Sequence, residues 1–226
     1  MCSLPDLPRA SGAPAGLLRP VSSKPKFEAP REPCAIAFVD GQNLFHCAEE
    51  AFGHTYPNYD PLRLATEVCR QNGWKLTQTR FYTGVPPAER NRGWHDFWAR
   101  KTLRMSRAGV VVVTRPLRYT LELLEDGNSR SIPREKGIDV RIAIDVLSLT
   151  YQKALDVALI FSQDQDLAEL ATEIRGLARR QKRWLKIASA FPVGPGTDNT
   201  RGINGADWIR IDRATYDSCL DPNEYR

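Results

Sequence analysis

The chain is poor in the residues that most often build covalent or metal-stapled sites. Its 226 residues include five cysteines and three histidines. The cysteines (Cys2, Cys34, Cys47, Cys69 and Cys219) are scattered, odd in number and form no CxxC, which argues against both a disulfide framework and a zinc site. His46, His54 and His95 stand apart from one another, so none is assigned a catalytic role. No apolar run reaches the length of a membrane span, and the N-terminus lacks the basic-then-apolar pattern of an export signal. A reducing, cytoplasmic setting is the resulting expectation. No GxGxxG follows the first apolar run, which weighs against a dinucleotide enzyme, and there is no internal repeat.

What is present is ordinary globular composition, with 42% hydrophobic and 26% charged residues, a formal charge of +5 and a pI near 9.0. The basic balance leans toward phosphate-bearing partners. Residues 1–31 are rich in Pro, Ala, Ser and basic residues without apolar periodicity and read as a disordered tail. Residues 32–226 suffice for one substantial core, and homo-oligomerisation is left open.

The segment around which the rest is organised is Cys34-Ala-Ile-Ala-Phe-Val-Asp40, followed by Gly-Gln-Asn43. A continuous run of small and apolar residues ending in a carboxylate reads as a fully buried strand whose last side chain emerges at a loop. A polar-aromatic loop is expected over 45–60. A helix then opens at Pro61, with Asp60 as its cap, and stops at Asn72-Gly73. Further strands are expected over 74–82, 109–114, 155–161 and 184–190, and Trp208–Ile211 is a candidate last strand. Helices fall between them over 89–107, from Lys136 onward, and over 164–180. The segments 117–124 and 129–132 flank Asp126-Gly127 as a β-hairpin. The alternation predicts an α/β fold: three layers, a central mostly parallel sheet of about five strands, helices on both faces and a hairpin insertion.

In an open parallel sheet, ligands collect at the carboxyl ends of the strands. Asp40 ends one buried strand, and Asp164 and Asp166 follow another. Asp139 sits in the first turn of the helix leading into the second. Asp139 could serve only the helix dipole, and Asp164 or Asp166 only a helix cap. Two acids two residues apart, however, add repulsion unless a cation intervenes. If the two strands are neighbours, the carboxylates meet at one edge. Oxygen ligands without His or Cys favour Mg²⁺ or Mn²⁺, and a cation so held activates water against a phosphodiester. Asn43 adds a neutral oxygen or an amide donor.

Phe38-Val-Asp40-Gly-Gln-Asn43, Lys136-Gly-Ile-Asp139 and Ser162-Gln-Asp164-Gln-Asp166 resemble, in order and context, the motifs of the NYN family of PIN-like nucleases. The likeness covers residues 34–212. It implies a PIN-like sheet and a Mg²⁺- or Mn²⁺-dependent ribonuclease, with endonucleolytic cleavage as its expected mode. It also implies metal ligands at Asp40, Asp139, Asp164 and Asp166, with Asn43 among the catalytic groups and Ser162 supporting them. Gln163 stands where the family often carries glycine, so a longer side chain lines that turn. Asp145 also matches a frequent acid of the family, but Arg141 lies one turn back, and a surface ion pair is favoured for it.

RNA, single-stranded or structured, is the expected partner, with no membrane. Arg90, Arg92, Arg100, Lys101 and Arg104 are interspersed with Trp94, Phe97 and Trp98, a mixture suited to single-stranded RNA. The aromatic spacing of i, i+3, i+4 equally describes a core stripe, which is the favoured reading. Arg179, Arg180, Lys182 and Arg183 suit a helix end without any ligand. Arg201, Asn204 and Asp207, in a long loop, are candidate substrate contacts. Two further readings remain open: a non-catalytic RNA- or protein-binding module on the same fold, and a phosphatase using Asp40 as nucleophile. The second is disfavoured because position 42 is Gln where a second acid is usual.

Overall fold

The computed structural model describes residues 27–123 and 129–225. Most of the tail expected over 1–31, and the Asp126-Gly127 turn, lie outside the described residues. Chain order begins with β1 (Cys34–Asp40), α1 (Gly41–Phe52), α2 (Pro61–Gln71), β2 (Lys75–Val85) and α3 (Arg92–Arg107). It continues with β3 (Val111–Pro116), a β4–β5 hairpin (Arg118–Leu123 and Ser129–Arg134) and α4 (Ile138–Tyr151). β6 (Val157–Phe161), a 3-10 turn (Gln165–Leu167), α5 (Ala168–Gln181), β7 (Lys186–Pro192), β8 (Asp207–Ile211) and α6 (Arg213–Ser218) complete it.

Among the described residues, six strands form one sheet in the order β3-β2-β1-β6-β7-β8, and every neighbouring pair is parallel. The sixth is the short strand anticipated at Trp208–Ile211. The chain leaves β1 toward β2 and β3, then returns to β1's other side as β6. The order therefore reverses at the β1–β6 pair, which opens a crevice beyond their carboxyl ends.

Side chains of β1 alternate between two cores. Ala35, Ala37 and Val39 pack with α1, α2 and α3 residues such as Leu44, Leu64 and Phe97. Ile36 and Phe38 pack with Ile142 and Val146 of α4 and with Leu170 and Ile174 of α5. By this period of two, Asp40 shares the face of Ile36 and Phe38, the one covered by α4 and α5.

The first half of the loop expected at 45–60 is in fact helix, because α1 starts directly after Asp40 and runs to Phe52. Leu44, Cys47, Ala48, Ala51 and Phe52 form its buried stripe, a helical spacing masked by the polar residues between them. A side chain at Gly41 would lie 2.5 Å from the Phe81 ring and 3.0 Å from the Tyr82 carbonyl, so glycine lets α1 leave the sheet at once. Asp60 caps α2 as expected, accepting from the Leu62 and Arg63 amides at 2.9 and 3.1 Å.

Two charged residues expected at the surface are buried. Lys101 is fully enclosed: its Nζ donates to the Tyr59 carbonyl and to Asp221 Oδ2, both at 3.0 Å. It cannot meet an RNA phosphate, because it lies on the stripe of α3 that faces Tyr59 and Tyr225. Burial lowers its pKa, and the Asp221 carboxylate opposes that shift. Asp145 does pair with Arg141 (3.0 Å), but inside the protein. Its other oxygen accepts from Arg80 and from the Tyr82 hydroxyl, both at 2.8 Å, which docks α4 onto β2.

Removing one partner of a buried pair strands the other charge. Lys101→Met is therefore expected to lower unfolding free energy by about 3–5 kcal/mol, with the exposed Arg104→Ala within roughly 0.5 kcal/mol of wild type. Urea unfolding followed by circular dichroism checks this, and equal midpoints for the two variants would contradict it.

Candidate metal centre

Each acid reaches the crevice by a different local device. Asp40 is the last residue of β1 and the N-cap of α1, its Oδ1 accepting from the Asn43 amide at 3.0 Å. Asp139 lies in the first turn of α4, whose N-cap Gly137 adopts φ of 78°, a left-handed conformation that glycine takes without penalty. Asp164 follows β6 and caps the 3-10 turn, its Oδ1 accepting from the Asp166 amide at 2.9 Å. The Ser162 hydroxyl accepts from the Asp164 amide at 3.1 Å and so shapes the turn.

Asp139, Asp164 and Asp166 converge: each offers a carboxylate oxygen, and these oxygens all lie within 4.8 Å of one another. Asp40 is outside that tight triad but borders it. It is 3% exposed, and burial, followed by repulsion from Asp139 and Asp164, pushes its pKa up to about 7. Burial and the neighbouring Asp164 carboxylate also raise Asp139.

A fifth acid, Glu135, was not among the expected site residues. Burial, followed by repulsion from Asp40, pushes it up to about 8, and its Oε1 is buried without a hydrogen-bond partner. Its signal was available, since Glu135 immediately precedes Lys136-Gly137-Ile138-Asp139. The other expected residues divide clearly. The Asn43 side-chain oxygen accepts from the Gln163 amide at 2.9 Å and ties α1 to the turn after β6. The Gln163 side chain points away from the acids, donating to the Asn199 and Arg201 carbonyls at 2.8 Å and accepting from the Cys47 thiol at 2.9 Å. Its length thus anchors the loop after β7 rather than filling the acid crevice. Burial pushes that thiol up to about 12, so Cys47 is no nucleophile at neutral pH.

Arg201 and Asn204 sit in the loop laid against the acid-bearing turn. Gln165 donates to the Gly202 carbonyl at 3.1 Å and accepts from the Asn204 amide at the same distance. Asp207 does not join the site: it opens β8 and pairs with Lys186 at the start of β7, away from the strands' carboxyl ends. Arg90 and Arg92 are exposed at the start of α3, near the carboxyl end of β2. Arg100 donates to the Tyr225 carbonyl at 3.0 Å, and Arg104 lies one turn further from the acids.

The donor set fits a hard divalent cation: clustered carboxylate oxygens, no histidine among them, and two adjoining acids whose pKa values are raised first by burial and then by the neighbouring carboxylates. The NYN domain model matches residues 35–187, more than half of the chain. The chain belongs to the NYN domain family. NYN domains form a PIN-like nuclease family, and the six-stranded sheet with its crevice acids is consistent with that fold. No curated protein matches the chain. A crystal structure of a protein of unknown function from Vibrio parahaemolyticus is similar, with a TM-score of 0.51 and 16% identity over 82% of this chain and 97% of that one. At that identity the likeness concerns the fold alone. MurG from Acinetobacter baumannii aligns with a TM-score of 0.32 and 7% identity, over 79% of this chain and 46% of that one, too weak to carry an argument. No helix among the described residues is long and apolar enough to cross a membrane.

Asp40 binds its proton more tightly folded than unfolded. Its contribution to stability is full below its ordinary value of 3.8 and is lost as pH rises through about 7. In EDTA, the Tm of wild type is expected to fall relative to Asp40→Asn between pH 5 and pH 8, since Asn keeps the cap without the charge. Parallel Tm–pH curves for the two proteins would contradict this placement of Asp40.

Proposed function

We propose that this NYN domain is a divalent-cation-dependent ribonuclease that cuts RNA phosphodiester bonds internally. The observation that carries the reading is the convergence of Asp139, Asp164 and Asp166 beside the buried Asp40 at the sheet's switch point. Mg²⁺ or Mn²⁺ would be held by Asp139, Asp164 and Asp166, with Asp40 as a further ligand. When bound, the cation supplies Lewis-acid polarisation of the phosphoryl group and a lowered pKa for water.

The chain's own residues do the rest. Asn43 and Ser162 fix the two turns that carry Asp40 and Asp164, so the carboxylates are preorganised before substrate arrives. Arg90 and Arg92, exposed before and at the start of α3, and Arg201 and Asn204, in the loop against the acid-bearing turn, would supply cationic or amide contacts to the RNA backbone. Among the described residues no thiol or histidine is positioned as a nucleophile, and Gln42 stands where a phosphatase built on Asp40 would use a second acid.

Labelled single-stranded RNA is expected to be cut in Mn²⁺ or Mg²⁺ and spared in EDTA. Circular RNA should be opened as well. Asp164→Asn should reduce the rate by about 100-fold or more while leaving the fold intact, the scale at which one electrostatic group in a preorganised site acts. Salt-sensitive RNA binding by folded wild type without any cutting would instead support a non-catalytic binding module.

A further inference from the structure

Beside the acid crevice lies a recess of about 310 Å³ that no feature of the hydrolytic site uses. Gly41 and Gln42, the residues after Asp40, line it together with Thr83 and Gly84, which follow Asp40's register partner Tyr82. The recess therefore adjoins the strand end that carries Asp40. Its walls are flat and largely apolar: Phe45 from α1, Trp94 from α3, and Tyr119 and Pro133, which face each other across the β4–β5 hairpin. Trp94 is only partly buried, unlike Phe97 and Trp98, and stands edge-on to the Phe97 ring at 5.1 Å. The Arg90 guanidinium lies over the Tyr119 ring at 5.2 Å, placing a cation at the aromatic surface. Gln42 and Asn91 add amide groups.

We propose that this recess receives one unstacked nucleobase of the RNA whose neighbouring phosphodiester lies over the acid cluster, an inference that rests on the ribonuclease reading. The chemistry matches that of single-strand recognition, in which splayed bases stack on aromatic faces and meet polar groups at their edges. Flat aromatic walls with few polar groups suit a planar heteroaromatic ring better than an aliphatic chain. Arg90 supplies the charge that the adjoining phosphate requires. The pocket would thus set which nucleotide sits next to the scissile bond, a selectivity the acids themselves cannot exert.

The test separates base recognition from cutting. A short fluorescein-labelled RNA is titrated in EDTA, where no hydrolysis is expected, with an abasic nucleotide placed at each position in turn. For wild type, one abasic position should weaken binding about tenfold, the scale of losing one base–aromatic stack, while the others have little effect. Trp94→Ala and, independently on the hairpin, Tyr119→Ala should weaken intact RNA similarly and lose sensitivity to that position. Uniform binding across all abasic RNAs, undiminished positional sensitivity in both variants, or no RNA binding by wild type would each overturn the base pocket. The same intact RNA incubated in Mn²⁺ reports separately on the nuclease reading: position-sensitive binding without cutting would retain the pocket and discard the hydrolysis.

Discussion

Negative charge confined at the β1–β6 switch point is the constraint on which the rest of the structure depends. Asp139, Asp164 and Asp166 present oxygens within 4.8 Å of one another, and Asp40 and Glu135 add two more acids whose pKa values burial pushes to about 7 and about 8. No guanidinium or ammonium pairs with the triad among the described residues. Two arginines on the same face of the sheet are committed elsewhere: Arg80 and Arg141 both bond Asp145. A fold that left such a cluster uncompensated would lose stability for no return. A divalent cation reverses the sign of that cost.

Holding the acids in place falls to a frame of neutral hydrogen bonds. Asp40 and Asp164 each cap the helical turn that follows them, so each carboxylate has one oxygen fixed by backbone. Asn43 couples the two turns through the Gln163 amide, and Gln163 in turn pins the loop that carries Arg201. On the far side of α4, Asp145 bonds Arg80 and Tyr82 and fixes the helix whose first turn bears Asp139. A change at Asp145 would reach the site through helix position rather than through any direct contact.

Much of this was legible in the chain because the features are local. Continuous apolar runs marked β1 and β6, Asp60-Pro61 marked a helix start, and two of the three acid motifs fell at strand ends where a parallel sheet gathers ligands, the third at a helix start. What escaped depended on distant partners. α1 was hidden because its stripe of Leu44, Cys47, Ala48 and Ala51 is interleaved with His46, Glu49 and Glu50, whose polarity reads as loop. Lys101 reads as a surface cation because nothing nearby in sequence announces Asp221 as its partner. Glu135 sits one residue before a recognised motif, yet only the fold brings it to Gly84 and Asp40. Gln163 looked like bulk added to the crevice and proved to be the anchor of a loop 36 to 38 residues further on.

Whether these acids are held together for a cation is tested, without reference to any substrate, by direct measurement of Mn²⁺ binding by electron paramagnetic resonance. Titrating Mn²⁺ into folded wild-type protein at pH 8 should show saturable loss of the free-ion signal. That loss should weaken at pH 5, where Asp40 and Glu135 hold their protons, and disappear in Asp139→Asn. A free-ion signal that tracks total Mn²⁺ in wild type, or binding unchanged in Asp139→Asn, would contradict the account.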